Sequence, residues 1–328
     1  MKDERTDDTV QDVAEGISSM RIRGAGKIAR AASEAIAEHT RGWKGTDKEE
    51  LISELKRVAN TLISTRPTAV SLRNSILLTL GGAEKLESVD EIKAEVSKRS
   101  KDFVVSAELA RDRISDIGSK RIPKGSTVMT HCNSMAALTT IEKAFKEGRV
   151  EMVYSTESRP WRQGHITAKW LLDRDIPVTM IVDSAARHFM RDIDAVLVGA
   201  DTIASNGAVI NKIGTSQIAL FAHESRVLFL VCAETFKFSK ETLFGSLVEI
   251  EDRGPSEIAD PKDPKEFRGA VFKNPVFDVT PPEYVDAIIT ELGMVSPYLA
   301  TEVIREMFGL EGPVGIGPRK DRFKWIEI

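Results

Sequence analysis

Apolar residues recur at helical spacing through the first third of the chain. The runs with this period are Ile28 to Ile36, Leu51 to Leu62, Ile76 to Leu80 and the strongly charged stretch Val89 to Ile114. Each run predicts an α-helix. A proline disfavours helical backbone at the residue before it, so Arg66-Pro67 separates two helices, and Gly81-Gly82 marks a second break. The pattern predicts a helical N-terminal domain over residues 1–118.

A different pattern follows residue 118, where short β-rich runs alternate with helical stretches. The β-rich runs are Thr127 to Thr130, Glu151 to Ser155, Val178 to Val182, Ala195 to Val198 and Val227 to Cys232. Buried strands alternating with helices are typical of a parallel sheet with helices on both faces. We expect an α/β fold, with a Rossmann-like domain and a mainly parallel sheet over residues 119–328. Near its end, Pro282 to Leu292 is expected to be helical.

Composition narrows the functional classes. The 328 residues carry a formal net charge of −4, whereas a dedicated nucleic-acid or membrane-surface binder is usually basic. The longest apolar runs, such as Val227 to Ala233, fall short of the roughly 18 residues of a membrane span. The N-terminus is acidic and polar, unlike a signal peptide. Two cysteines, Cys132 and Cys232, exclude a disulfide scaffold and favour the reducing cytoplasm.

Polar side chains cluster directly after the predicted strands. Ligands of open α/β sheets bind outside the carboxyl ends of the strands. The segments that follow the first four strands are His131 to Ser134, Glu157 to Gly164, Asp183-Ser184 and Gly199 to Thr202. The second segment contains Arg159 and Gln163. Because thiol, carboxylate, guanidinium and amide groups converge on this edge, the sequence predicts a functional site there.

Two residues at this edge have the chemistry of acids and bases. Cys132 precedes a predicted helix, whose N-terminus would lower the pKa of the thiol. Alternatively, it is a small buried residue at a strand end. Asp201 is either a carboxyl that burial keeps protonated, able to act as a general acid, or a turn cap. Beyond it, Ser205-Asn206-Gly207 predicts a tight turn, and Asn211-Lys212 either points at substrate oxygens or lies in a simple loop.

Cationic residues elsewhere in the chain favour a phosphorylated ligand. The segment Arg21 to Lys27 leads into an Ala-rich helix, where free N–H groups at the helix start bind anions. No strand precedes it, so it is neither a dinucleotide fingerprint nor a P-loop, and it is otherwise a glycine-softened helix start. Arg66 and Arg159 are either phosphate ligands or surface charges. HExxH, paired CxxC and Gly-x-Ser-x-Gly motifs do not occur, which argues against a zinc site and weakens a hydrolase interpretation.

Taken together, several segments resemble one known family. They are Arg23-Gly24-Ala25, Arg66 to Val70, His131 to Ser134, Glu157 to Gly164, Gly199 to Asp201, Asn211-Lys212 and Asn274 to Pro282. In this order, over nearly the whole chain, they resemble the sugar-phosphate isomerases related to the regulatory subunits of a eukaryotic translation-initiation exchange factor. Within that family the chain is most similar to the archaeal branch that acts on ribose 1,5-bisphosphate.

The resemblance implies an aldose–ketose isomerisation that yields ribulose 1,5-bisphosphate, in a route from AMP to carbon fixation, without a metal or a nucleotide cofactor. It implies a homo-oligomer, either a dimer or a hexamer built as a trimer of dimers. Cys132 and Asp201 match the family's catalytic pair. The positions expected to bind substrate are Arg23, Gly24, Ala25, Gly26, Arg66, Ser134, Met135, Ala136, Arg159, Gln163, Asn211, Lys212 and Lys237.

Two other branches of the family remain alternatives. Methylthioribose-1-phosphate isomerases share the Cys and Asp pair, but typically have Arg-Gly-Ala-Pro where this chain has Arg23-Gly24-Ala25-Gly26-Lys27. If Lys27 or Arg30 reaches a second phosphate, the bisphosphate is favoured. The regulatory subunits are binding proteins, and they would not be expected to retain the catalytic pair that is present here.

Overall fold

Five helices precede the first strand in the structure, a computed structural model that describes residues 4–258 and 269–309. They are α1 (Glu4–Ser18), α2 (Ala25–Gly42), α3 (Lys48–Thr65), α4 (Val70–Leu80) and α5 (Val89–Gly118). The breaks predicted at Arg66-Pro67 and Gly81-Gly82 are confirmed. The apolar faces of the helices pack on one another around Ile28, Leu51 and Ile92, all of which are buried. Helix α5 ends at Gly118, but the division of the chain into two domains stays a prediction.

The rest of the described chain is built on a seven-stranded sheet in the order β10-β9-β7-β4-β1-β2-β3. The strands are β1 (Ser126–Thr130), β2 (Val150–Thr156), β3 (Val178–Ile181), β4 (Ala195–Gly199), β5 (Thr202–Ile203), β6 (Val209–Lys212), β7 (Leu228–Cys232), β8 (Phe277–Thr280), β9 (Ala287–Thr290) and β10 (Gly293–Val295). Only β10 pairs antiparallel within this sheet. The expected α/β fold with a mainly parallel sheet is confirmed.

Helices cover both faces of this sheet. They are α6 (Met135–Lys146), α7 (Gln163–Leu172), α8 (Ala186–Phe189), α9 (Thr215–Ser225) and α10 (Ala300–Phe308). Side chains alternate along a strand, so Val196 and Val198 of β4 join one core with α9. Leu197 joins the opposite core with Ile141 of α6 and Ile114 of α5. None of the helices in the described ranges has the length and apolar character to cross a bilayer.

The predicted helix Pro282 to Leu292 is wrong. That stretch contains a short 3-10 turn and strand β9, which adds in parallel to β7. Residues 287–290 are all buried, and three of them, Ile288, Ile289 and Thr290, are β-branched. A short, fully buried run has no periodicity to separate strand from helix, and here the β-branched side chains fit the pleated sheet.

A three-stranded antiparallel sheet, β5-β6-β8, lies beside the end of β4. The predicted turn at Ser205-Asn206-Gly207 is confirmed, since the Gly207 amide donates to the carbonyl of Ala204 at 2.9 Å and joins β5 to β6. The hairpin returns the chain so that Asn211 and Lys212, at the end of β6, are buried.

Candidate active site

Cys132 and Asp201 follow adjacent strands of the sheet. Cys132 comes just after β1 and Asp201 just after β4, and these two strands pair in parallel. From β1 the chain runs outward to β2 and β3 and then crosses back to β4 on the other side of β1. The connections therefore diverge between β1 and β4, and open α/β sheets bind ligands at such a switch point.

A cavity of about 400 Å³ opens at this point. It brings together every substrate-binding or catalytic residue that the sequence predicts, except one. The predicted residues that line it are Arg23, Gly24, Ala25, Gly26, Arg66, Cys132, Ser134, Met135, Ala136, Gln163, Asp201, Asn211, Lys212 and Lys237. Arg159 is not among the lining residues. Its side chain is exposed, and its backbone amide donates to Asp183 at 2.7 Å.

The cavity is strongly cationic. Eight lining residues carry a positive charge, against two acidic ones, Asp201 and Glu234. The cationic residues are Arg23, Lys27, Arg30, Arg66, Arg111, Lys212, Lys237 and Arg253. Sequence reasoning does not find Arg111 or Arg253. Arg111 is one of many charges on α5, and only the packing of that helix shows which of them faces the cavity.

The backbone of Cys132 is held on both sides by side chains. Its φ of 68° lies in the left-handed region, which is unusual for a non-glycine residue. Its amide donates to the Ser158 hydroxyl at 2.8 Å, and its carbonyl accepts from the Thr167 hydroxyl at 2.7 Å. Asp183 in turn accepts from the Ser158 amide at 2.8 Å. The thiol therefore starts from a backbone that three side chains fix.

The thiol of Cys132 is protonated at neutral pH in the free protein. Burial raises its pKa to about 11, although the charge of Lys212 lowers it, and the charge of Asp201 adds to the rise. The lowered pKa expected from the start of α6 is therefore wrong, because desolvation penalises the thiolate more than nearby positive charge favours it. The charge of Asp201 acts on this thiol, and both residues line the same cavity.

His131 supports the end of β1 as a neutral ring. Its Nε2 lies 2.8 Å from the carbonyl oxygen of Ile213, which can only accept, so Nε2 donates. Nδ1 then accepts from the Thr156 hydroxyl at 2.6 Å. Burial lowers the pKa of His131, consistent with a neutral imidazole.

Two helix N-termini face the cavity. Helix α2 begins after Gly24, whose φ of 92° suits glycine, and this helix start has neither a side-chain cap nor an acidic residue in its first turn. Helix α6 begins after Ser134, whose hydroxyl accepts from the Ala137 amide at 3.4 Å. Free N–H groups at a helix start bind anions such as phosphate. One of these helix starts lies in the helical segment that precedes the sheet, and the other follows β1.

A buried ion pair lies against the cavity beyond β7. Glu234 and Lys237 are 2.8 Å apart, with side chains only 6% and 7% exposed. Burial acts to raise the pKa of Glu234, but the charge and hydrogen bond of Lys237, a backbone hydrogen bond and the charge of Arg111 together lower that pKa below its ordinary value. The Asn74 amide donates at 2.9 Å to both the Phe236 and Phe238 carbonyls, which fixes this segment. Among residues 4–258 and 269–309, no cluster of three His, Cys, Asp or Glu side chains has the arrangement of a metal site.

The fold and the cavity define an α/β protein with a cationic cavity at the switch point of its sheet, a surface suited to an anionic ligand. The model of the Initiation factor 2 subunit family matches residues 21–297, so the chain belongs to that family.

Curated relatives and solved structures match nearly the whole chain. Ribose 1,5-bisphosphate isomerase of Archaeoglobus fulgidus is 50% identical over 305 residues, covering 92% of this chain and 95% of the relative. The protein of the same name from Methanocaldococcus jannaschii is 46% identical over 302 residues, covering 92% and 96%. The crystal structure of 5-methylthioribose 1-phosphate isomerase from Pyrococcus horikoshii OT3 superposes with a TM-score of 0.75 at 30% identity, covering 92% of this chain and 87% of that one.

Proposed function

We propose that this chain is a sugar-phosphate isomerase that converts ribose 1,5-bisphosphate into ribulose 1,5-bisphosphate. The observation that carries the proposal is the cavity that joins Cys132 and Asp201 to eight cationic side chains, in a chain whose net charge is −4. Each phosphate monoester carries roughly −1.5 to −2 at neutral pH, so a bisphosphate matches this surplus of positive charge. The relatives from Archaeoglobus fulgidus and Methanocaldococcus jannaschii, both named ribose 1,5-bisphosphate isomerase, support the same substrate.

The proposed chemistry begins with the protonated thiol of Cys132. It donates its proton to the ring oxygen O4 as the C1–O4 bond breaks, so that the bonding pair leaves with O4 and the cation at C1 is stabilised by a lone pair of O1. The resulting thiolate then takes the proton from C2, and the electron pair forms the C1–C2 double bond. Asp201 takes the hydroxyl proton at O2 while Cys132 delivers its proton to C1, which leaves a C2 ketone. Transfer of the proton from Asp201 to Cys132 restores both groups, so the protons balance over the cycle.

Fixed positive charge would stabilise the negative charge that develops at O2. Lys212 acts on the thiol of Cys132 electrostatically, so it is near the reacting atoms. Helix α6 begins at Met135, three residues after Cys132, and its first turn supplies N–H donors that need no rearrangement. The side-chain oxygen of Gln163 is buried without a hydrogen-bond partner among the described residues, and we assign it a sugar hydroxyl.

We also propose a cellular compartment and an oligomeric state for the protein. The use of two free cysteines supports the cytoplasm, and the resemblance supports a homo-oligomer, as a dimer or as a trimer of dimers. No metal or nucleotide enters the proposed reaction.

Side-by-side turnover of two sugar phosphates tests the function. The wild-type chain should isomerise ribose 1,5-bisphosphate with a higher kcat/KM than methylthioribose 1-phosphate. Cys132→Ser and Asp201→Asn should each lose roughly 10²–10⁴-fold in kcat. Cys232→Ser is the matched control, because Cys232 is buried in β7 outside the cavity lining.

Each other outcome selects a different function. Preference for the methylthio sugar would assign the chain to methionine salvage. Turnover of neither sugar, together with stable association with initiation-factor components, would assign it to the regulatory subunits. Full activity in both catalytic variants would refute the Cys and Asp mechanism.

A further inference from the structure

Strand β8 lies beside the end of β6 that reaches the cavity. It belongs to the segment Asn274 to Pro282, which carries part of the family resemblance, and it pairs antiparallel with β6. In this pairing Asp278 lies opposite Asn211, and Phe277 lies opposite Lys212. The register therefore places an aspartate directly behind the two polar residues with which β6 ends.

The carboxylate of Asp278 caps helix α9. The residue before that helix is Gly214, which has no side chain to accept from the first free amides. Oδ2 of Asp278 accepts instead from the Gly214 amide at 2.7 Å and from the Ser216 amide at 3.1 Å. Burial raises the pKa of Asp278 to about 6, and the two amides act against that rise, so the group is a carboxylate at neutral pH. One charged oxygen thus holds residues 213–216, which we call the α9 loop.

The α9 loop joins Lys212 to His131, the residue that precedes the catalytic cysteine. The Thr215 hydroxyl donates to the carbonyl of Lys212 at 2.6 Å. The His131 ring donates from Nε2 to the carbonyl of Ile213, 2.8 Å away. A Cβ on Gly214 would lie 3.1 Å from Cε1 of the same ring, so the loop backbone packs directly against His131. A displaced loop would therefore move Lys212 relative to the end of β1.

The side chain of Lys212 depends on this backbone for its direction. Lys212 is 5% exposed, lines the cavity, and has its Nζ 5.0 Å from the centroid of the Phe277 ring. The ring contacts the ammonium on one side, whereas the loop sets the point from which the side chain extends. In the proposed reaction Lys212 stabilises charge that develops at O2, and such stabilisation requires a charge that is already in position.

We propose that Asp278 is a positioning residue that sets the place of Lys212 relative to Cys132 through the α9 loop, an inference that rests on the proposed function. Asp278 is not among the residues that line the cavity. Its influence on turnover therefore passes through the loop, and it depends on the oxygen that accepts the two amides.

Steady-state kinetics with ribose 1,5-bisphosphate test the positioning role. Asp278→Ala should lower kcat by roughly 10- to 100-fold, the effect of losing hydrogen bonds to a charged acceptor. KM should change by no more than about twofold, because the lost interaction acts on the transition state. Asp286→Ala is the matched control, since Asp286 also accepts from a backbone amide, that of Phe229 at 2.7 Å, but is exposed and outside the cavity lining. It should leave kcat unchanged.

Asp278→Asn separates positioning from stability. Oδ1 of Asp278 is inaccessible to solvent and has no hydrogen-bond partner within the described ranges. Asparagine keeps an oxygen for the two loop amides but buries its NH2 group at this second position without an acceptor. We expect kcat to stay within about threefold of the wild type while the melting temperature falls. A loss of kcat as large as that of Asp278→Ala would overturn the role of the accepting oxygen.

A double-mutant cycle tests whether the effect passes through Lys212. Once Lys212→Met has removed the ammonium, its position no longer matters, and adding Asp278→Ala should lower kcat by no more than about a further twofold. Effects of the two variants that multiply in full would show that Asp278 acts on the fold in general. If Asp278→Ala does not fold, Asp278→Glu takes its place in the cycle with the same criteria, since it keeps the charge but moves the oxygens by one methylene.

The outcomes distinguish the inference from the function on which it rests. Unchanged kcat in Asp278→Ala would overturn the positioning role and leave the isomerase intact. A wild-type chain that turns over neither ribose 1,5-bisphosphate nor methylthioribose 1-phosphate would refute the proposed function, and the inference with it.

Discussion

The amide of Cys132 donates a 2.8 Å hydrogen bond to the hydroxyl of Ser158, and both residues have left-handed backbones, with φ of 68° and 59°. Such backbones are costly for non-glycine residues and persist only where the surroundings fix them. Here two loops that follow β1 and β2 hold each other, and the result is a thiol that faces the cavity. The Asp183 carboxylate accepts hydrogen bonds from the amides of Ser158 and Arg159 and so holds the loop that follows β2.

Ser158→Ala should impair catalysis, although Ser158 is not among the residues that line the cavity. Loss of the hydroxyl leaves the Cys132 amide without its partner and frees the backbone that carries the thiol. We expect kcat to fall roughly tenfold, the effect of one lost hydrogen bond of about 1–1.5 kcal/mol, with little change in KM. Steady-state kinetics measure this, with Ser184→Ala at a neighbouring exposed position as the control. A variant with unchanged kcat would show that Ser158 does not position the thiol.

The raised pKa of Cys132 predicts slow alkylation. With a pKa of about 11, the thiolate fraction is small at neutral pH, and the rate of reaction with iodoacetamide should rise about tenfold per pH unit between pH 7 and 9. Asp201→Asn removes a charge that raises the pKa, so it should speed alkylation at fixed pH. Lys212→Met removes a charge that lowers it and should slow the reaction. Cys132→Ser gives the background from Cys232, and a rate that is flat above pH 7 would contradict the high pKa.

The convergence of Cys132 and Asp201 could be predicted because it follows from strand order. Residues that follow adjacent parallel strands meet at one edge of the sheet. The hydrophobic pattern of the sequence predicts the alternation of strands and helices that builds such a sheet. The same reasoning placed Gln163 at this edge, whereas Lys212 was assigned to the site only by the family resemblance. It also suggested Arg159, whose loop does reach this edge, but an arginine side chain can point either way from a loop, and here it faces solvent.

Properties that depend on packing could not be predicted in this way. The pKa of Cys132 follows from how completely neighbours exclude water, which no local pattern records. Arg111 enters the site because α5 packs between α2 and the sheet. Strand β9 was mistaken for a helix, because its assignment depends on β7 lying beside it. In each case the deciding contact is long-range in sequence.

Gly199→Ala should loosen the start of α6. A Cβ at this position would lie 2.3 Å from Oγ and 2.5 Å from Cβ of Ser134, which caps that helix. We expect a loss of about 1–3 kcal/mol in the free energy of unfolding, measured in urea, because the cap residue Ser134 must shift. Gly254→Ala is the control, since its Cβ would meet only a distant side-chain oxygen at 4.0 Å. Adding Ser134→Gly to Gly199→Ala should recover much of the lost stability, and a failure to recover would contradict the clash.

Because Glu234 and Lys237 form a buried ion pair, replacing one partner should destabilise the protein much more than replacing both. Lys237→Met leaves the Glu234 carboxylate buried without its partner and should cost about 3–5 kcal/mol, whereas Glu234→Gln together with Lys237→Met should recover most of that loss.

The pH dependence of the same pair has a definite sign. Burial acts to raise the folded-state pKa of Glu234, but Lys237, together with a backbone hydrogen bond and the charge of Arg111, lowers it from the ordinary value of 4.5. A carboxylate with a lowered pKa contributes stability that is fully present above its unfolded-state pKa and is lost as the pH falls through its folded-state pKa. The stability of the wild type relative to the double variant should therefore stay constant above about pH 6 and shrink as the pH falls below 4.5. Urea unfolding of both proteins across this range measures the difference, and a difference that grows on acidification would show that Glu234 is not held as a carboxylate by Lys237.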